Sequence, residues 1–114
     1  MPSKGPARVE LLQGTLELLI LRTLLFGPAH GHSIARAIQV TSEELLQVET
    51  GSLYPALHRL EARGLVVASW ETSDLGKRAK YYTLTRLGRK ELVEQRSRWE
   101  TFARAMGLVL DPVK

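Results

Sequence analysis

The spacing of apolar residues divides the chain into a series of short helices and strands. Leucines lie on almost every side of residues 9–26, which predicts a first helix that is buried on more than one face. Helix breakers follow at residues 27–31, GPAHG. Apolar positions at helical spacing then predict a shorter second helix over about residues 32–40, and the alternation at residues 46–49 predicts a brief strand.

A third helix, over residues 51–64, has the clearest start and end signals. Ser52 is the expected N-cap, Pro55 is expected within the first turn, and Gly64 is expected to end the helix in a left-handed conformation. One face of this helix is apolar and is expected in the core. It consists of Leu53, Ala56, Leu57 and Leu60.

The opposite face of the third helix suits two interpretations. It carries Ser52, Tyr54, Pro55, His58 and Arg59, and all of these except Pro55 can donate or accept hydrogen bonds. The face is either the solvated side of a small amphipathic helix or the reading surface of a recognition helix in a DNA major groove. The segments that follow favour the second interpretation.

Two β-rich runs, residues 65–71 and 79–85, are separated by turn residues and predict a hairpin. Its tip and returning strand carry three cations, Lys77, Arg78 and Lys80, where a DNA-binding wing holds flanking phosphates. Thr85 is the expected N-cap of a last helix over about residues 86–108. Asp111 and Pro112 are expected to stop that helix.

In this order the elements predict an α+β, mainly α fold, a winged helix-turn-helix with a C-terminal dimerisation helix. The expected domains are a DNA-binding winged helix-turn-helix over residues 8–84 and a dimerisation helix over residues 85–110. Two apolar surfaces would stay exposed to solvent in so short a chain. They are the outer face of the first helix and a stripe along the last helix, and in a dimer each can cover the other across a two-fold axis. The residues expected in this dimer interface are Leu11, Leu18, Leu92, Trp99, Phe102 and Met106.

Composition narrows the class of protein. The 114 residues include 16 Lys and Arg against 12 Asp and Glu, a net charge of +4 that permits a polyanionic partner without requiring one. The absence of cysteine excludes a disulfide scaffold and a thiolate metal site. The N-terminal residues do not have the pattern of a secretory signal, and the most hydrophobic segment, residues 16–26, is too short to span a bilayer. A cytoplasmic protein without a membrane partner is therefore expected.

Catalytic and metal-binding chemistry are not indicated. Ser52 and His58 have no acid placed to orient the histidine, and there is no glycine-rich phosphate loop. His30 and His32 lack a third ligand at motif spacing. We therefore expect no enzyme activity, no cofactor and no metal site.

The residues also resemble a family, the PadR-type transcriptional regulators. The resemblance rests on GSLYPALHRLEARGLV and the KRAKYYTLT hairpin, together with LLQGTLELLILRTL and GPAHGHSIARAI, and it covers about residues 9–106. It implies a cytoplasmic homodimeric repressor in which the first helix of one chain contacts the last helix of the other. The single C-terminal helix resembles the smaller subfamily. His32 is a departure from the family, because many members carry tyrosine at this position. The resemblance therefore does not assign His32 the DNA-backbone contact that a tyrosine there would make.

Two further interpretations concern effectors and partners. Trp99 on the apolar stripe is either dimer core or an effector site. Multidrug-sensing members of the family that the chain resembles place a tryptophan fourteen residues after the capping threonine, and Thr85 and Trp99 have that spacing. The resemblance thus implies a small planar aromatic effector stacked between two such rings. The favoured function is a repressor on a pseudo-palindromic operator, and the alternative is a winged helix used for protein contact without DNA binding.

Overall fold

The computed structural model describes residues 14–111, which form four helices and a three-stranded antiparallel sheet. The helices are α1 (Thr15–Leu24), α2 (Gly31–Thr41), α3 (Thr50–Ala62) and α4 (Arg86–Leu110). The strands are β1 (Ala29–His30), β2 (Val66–Thr72) and β3 (Arg78–Leu84). The predicted mainly α winged helix-turn-helix with a long C-terminal helix is confirmed.

The sheet consists of the predicted hairpin and a third strand, β1, that the sequence analysis does not predict. Its order is β1-β3-β2, with Val66 opposite Leu84 at the base of the hairpin and Ala29 opposite Tyr82 on the other side of β3. The strand β1 spans only two residues of the breaker segment, so no alternation of apolar residues could reveal it. It fixes the start of α2 against the hairpin.

The core lies where the first three helices meet the sheet. Ile20 and Leu21 of α1, Ile34 of α2, and Leu57 and Leu60 of α3 are fully buried. All four apolar residues predicted for the inner face of α3 are buried, so the predicted orientation of that helix is confirmed. Burying such side chains stabilises the fold by roughly 1.5–3 kcal/mol each.

The start of α3 differs from the sequence prediction, whereas its end agrees. The N-cap is Glu49 rather than Ser52, because the amides of Ser52 and Leu53 already donate to the Glu49 carbonyl at 3.0 and 2.9 Å. Pro55 therefore lies inside the helix and beyond the first turn, where it removes one backbone hydrogen bond. Gly64 has a φ of 73°, and the amide of Leu65 donates to the Leu60 carbonyl at 2.9 Å, which is a Schellman ending.

Two other predicted boundaries change. The strand predicted at residues 46–49 is wrong: only Leu46 forms an isolated bridge, and this residue and Val48 pack half-buried against the core. The chain reaches them through a turn in which Glu43 and Glu44 have φ values of 56° and 67°. Helix α1 ends at Leu24, two residues before the predicted end. Residues 9–13 of the predicted first helix, Leu11 among them, lie outside the described residues.

Thr85 joins the hairpin to α4 as predicted. Its Oγ1 accepts a hydrogen bond from the Gly88 amide at 2.9 Å and lies 3.0 Å from the Leu65 carbonyl, so the cap is tied to the base of β2. Helix α4 continues to Leu110, two residues beyond the expected end. Pro112 lies outside the described residues. None of the helices in residues 14–111 is long and apolar enough to cross a membrane.

Candidate nucleic-acid interface

The outer face of α3 is a continuous exposed surface. Opposite its buried residues lie Ser52, Tyr54, Pro55, His58 and Arg59, all of them exposed. Helical spacing sets this division, since the inner positions recur every three or four residues. The structure therefore brings together on one helix face every residue that the sequence nominated for groove contact.

These side chains differ in whether their polar groups are free. Ser52, Tyr54 and His58 make no side-chain hydrogen bond or ion pair within residues 14–111. Arg59 is different, because its Nε lies 2.8 Å from Oε2 of Glu17 in α1. The Arg59 side chain is still 51% exposed. Its free guanidinium nitrogens can reach outward, while the ion pair holds the stem of the side chain against α1.

The wing is the β2–β3 hairpin, and its tip is an ordered turn. The Ser73 amide donates to the Lys77 carbonyl at 2.8 Å, and the Lys77 amide donates to Ser73 Oγ at 3.2 Å. The side chains of Lys77 and Arg78 are exposed at this tip. The Arg78 guanidinium lies 5.4 Å from the centroid of the Trp70 ring, a cation–π distance that orients it while leaving its donors free.

Lys80, the third predicted phosphate contact, lies in a different environment. Its Nζ is 3.3 Å from Oε1 of Glu61 at the end of α3 and 5.6 Å from the centroid of the Tyr82 ring. Burial raises the pKa of Tyr82, while the nearby ammonium of Lys80 opposes that rise. The lysine thus joins the wing to α3, and its charge is already partly balanced within the chain.

A network of ion pairs that the sequence analysis did not predict links α1, α3 and α4. Glu17 of α1 contacts Arg59 and also Arg63, whose Nη1 is 3.5 Å from Glu17 Oε1. Arg63 reaches Glu91 of α4 at 3.4 Å. The pKa of Glu91 is lowered, first by the hydrogen bond that Gln95 donates at 2.8 Å and then by the neighbouring arginines. The only sequence signal was an isolated acid in the leucine-rich first helix.

Trp99 lines an open groove of about 520 Å³ between α1 and α4. The groove combines the aromatic rings of Trp99 and Phe102, whose centroids are 6.1 Å apart, with the carboxylates of Glu17 and Glu91. Trp99 is 44% exposed, and every described residue of α4 from position 96 onward is exposed.

The residues predicted for the dimer interface fall into three groups. Leu11 lies outside the described residues. Leu18 is half-buried against the core, and Leu92 is buried in the core of its own chain. Trp99, Phe102 and Met106 are each between 44% and 49% exposed, so the described residues leave a large apolar surface on the second half of α4.

The histidines near the start of α2 have structural contacts. The Nδ1 of His30 accepts a hydrogen bond from the Ser33 amide at 3.2 Å and so caps α2. Its ring stacks on His32 at 6.3 Å and meets the edge of Tyr81 at 5.4 Å. Within residues 14–111 no three histidine or acidic side chains cluster in a way that could hold a metal ion.

Comparison with known proteins gives this fold and surface a family. Residues 20–94 match the model of the "Transcriptional regulator PadR-like family". The transcriptional regulator Rv3488 of Mycobacterium tuberculosis is 37% identical over 95 residues, which cover 83% of this chain and 85% of that protein. Among solved structures, a transcriptional regulator from Clostridium thermocellum is similar, with a TM-score of 0.77 and 27% identity over 83% of this chain and 92% of that one. A PadR family transcriptional regulator from Eggerthella lenta has a TM-score of 0.74 and 30% identity over 89% of this chain and 86% of that one.

Proposed function

Because the chain belongs to the PadR-like family of transcriptional regulators, which are not enzymes, we propose that it is a repressor that binds a specific DNA sequence as a homodimer. One observation carries the proposal. The outer face of α3 presents Ser52, Tyr54 and His58 without internal hydrogen-bond partners, on a helix that four buried residues hold in place. Unpaired donors and acceptors on a rigid helix suit the base edges of a major groove.

The wing supplies the electrostatic part of the proposed interface. Lys77 and Arg78 are exposed at its tip and have no ion pair within residues 14–111, so each can neutralise a phosphate next to the groove. Lys80 is a weaker candidate because Glu61 already balances its charge. Arg59 can contribute through the guanidinium nitrogens that Glu17 does not engage.

The proposed dimer uses the second half of α4, in keeping with the division into a DNA-binding domain over residues 8–84 and a dimerisation helix over residues 85–110. Trp99, Phe102 and Met106 expose apolar surface that a second copy of the chain can cover. A two-fold dimer would read a pseudo-palindrome, with half-sites about 10 bp apart or a multiple of that distance. Acting on DNA, such a regulator works in the cytoplasm.

The groove between α1 and α4 is the proposed effector site. Trp99 and Phe102 offer aromatic faces for a small planar aromatic ligand. A ligand that binds one arrangement of α4 more tightly than another would shift the dimer between two states. In a Trp70→Phe background, quenching of Trp99 fluorescence by planar aromatic compounds would support this site. Absence of quenching by any such compound would assign Trp99 to the dimer core.

The experiment that tests the main proposal is selection of bound sequences from a random DNA pool. The enriched sequence should be a pseudo-palindrome, and fluorescence anisotropy should give a Kd at least about 10³-fold lower for it than for random DNA of equal length. Light scattering at micromolar concentration should give the mass of a dimer. A pool that never enriches would leave protein contact without DNA as the function of this winged helix.

A further inference from the structure

The recognition helix α3 and the helix before it meet at Gly31 and Tyr54. Gly31 is the first residue of α2 and is buried. A Cβ atom at this position would lie 2.8 Å from both Cε1 and Oη of Tyr54 and 3.0 Å from its Cζ. These three atoms are the nearest neighbours of that position, so the outer end of the Tyr54 ring occupies the space that a side chain would need.

A methyl group at position 31 would move the tyrosine ring and leave the backbone in place. Carbon atoms in packed proteins rest about 3.5–4.0 Å apart, so a separation of 2.8 Å cannot be kept. Tyr54 is 42% exposed, which gives its ring open solvent into which it can rotate about χ1. The displaced ring would then leave the position that it holds beside the N-terminus of α2.

The fixed ring matters because Tyr54 belongs to the proposed reading surface. An exposed side chain that is free to rotate loses conformational entropy when it is ordered on a ligand, and one that is already held in place loses less. The ring of Tyr54 is attached to α3, and its outer end packs against the backbone of Gly31 in α2. The Tyr54 hydroxyl has no hydrogen-bond partner within residues 14–111, so it can still donate and accept a hydrogen bond.

We propose that Gly31 is a specificity-determining residue that acts through Tyr54. Because Gly31 has no side chain, the Tyr54 ring can lie across the start of α2. In that position the ring presents its hydroxyl to the DNA in a fixed place. The inference rests on the proposed function, since it assigns a contact within the same interface. It adds a residue that does not itself face the DNA-reading surface of α3.

The test measures the operator affinity of Gly31→Ala, and the Tyr54→Ala background of the double-mutant cycle below serves as its control. Gly31→Ala should weaken binding to the selected operator by about five- to tenfold and leave random-DNA binding and the salt slope unchanged, because no cation is removed.

A double-mutant cycle shows whether the effect passes through the tyrosine. In a Tyr54→Ala background the ring is gone, so adding Gly31→Ala should change operator affinity less than about twofold. Tyrosines labelled with 3-fluorotyrosine give an independent readout. The ¹⁹F resonance of Tyr54 should shift in Gly31→Ala relative to its position in the unmodified protein.

The following results would overturn the proposal while leaving the proposed function standing. One is specific operator binding that Gly31→Ala does not weaken. Another is an equal loss of affinity in the Tyr54→Ala background. The third is an unmoved ¹⁹F resonance, or a large fall in Tm, since either would mean that the ring does not swing aside. Failure of the unmodified protein to select any DNA would instead refute the proposed function.

Discussion

Gly88 lies where α4 leaves the hairpin, and replacing it with alanine tests how tightly that joint is packed. A Cβ at Gly88 would lie 2.1 Å from the carbonyl oxygen of Leu65 and 2.8 Å from Cδ1 of Leu84. The first neighbour is backbone, so it cannot rotate away. The Gly88 amide also donates to the Thr85 cap at 2.9 Å, and any shift of α4 that relieves the clash lengthens this bond.

The magnitude follows from opposing effects. Overpacking costs about 1–3 kcal/mol, and a weakened cap costs about 1 kcal/mol more. Alanine in place of glycine within a helix returns about 1 kcal/mol. The net destabilisation is about 1–3 kcal/mol, which corresponds to a fall in Tm of very roughly 5–20 °C for a domain of this size.

Thermal unfolding followed by circular dichroism measures this change, at one fixed protein concentration because a dimer's Tm depends on concentration. Gly51→Ala in the first turn of α3 is the control, since a Cβ there meets nothing within 4 Å and its Tm should stay the same or rise slightly. If Gly88→Ala melts at or above the temperature of the unmodified protein, the close approach of α4 to Leu65 is absent in solution.

Three other predictions concern the wing, the dimer and acid stability. Lys77→Ala and Arg78→Ala should each lower the slope of log affinity against log salt by about one unit, whereas Lys80→Ala should lower it less because Glu61 already pairs that charge. Met106→Glu should shift light scattering from dimer to monomer, because it places a charge on the exposed apolar face of α4, and an unchanged mass would locate the dimer elsewhere. The pKa of Glu91 is lowered from 4.5 in the folded state, so its stabilisation is present above that value and is lost as pH falls through the folded pKa. Glu91→Gln should therefore cost up to about 1 kcal/mol at neutral pH and flatten the acid limb of stability below about pH 4.5, and an unchanged limb would contradict the assignment.

The sequence predicted those features that depend on neighbouring residues. The ending at Gly64, the cap at Thr85 and the buried face of α3 are all set within a few positions of the chain, so spacing and residue type are sufficient. The start of α3 was misplaced because Ser52 is a favourable cap, yet backbone hydrogen bonds to Glu49 extend the helix further back.

Contacts between distant positions could not be predicted in the same way. Arg59 and Glu17 are 42 positions apart, and Lys80 and Glu61 are 19 apart. Nothing in the local sequence pattern indicates that these charges form ion pairs. The sequence analysis therefore treats Arg59 and Lys80 as unpaired, like the other polar residues of the predicted interface. The strand β1 was missed for a related reason, since two residues become a strand only by pairing with β3.

The ion pairs of Arg63 have a mechanical consequence. They connect the end of α3 to α1 and α4, next to the point where Leu92 of α4 is buried in the core, so the reading surface is joined to the base of the long helix. Helix α4 has 25 residues and is therefore roughly 37 Å long, which makes it a lever. With half-sites one turn apart, each reading helix of the proposed dimer lies about 17 Å from the two-fold axis, and a 5° rotation of each protomer would move its reading helix by about 1.5 Å. Hydrogen bonds tolerate only a few tenths of an ångström, so that small rotation would put one half-site out of reach.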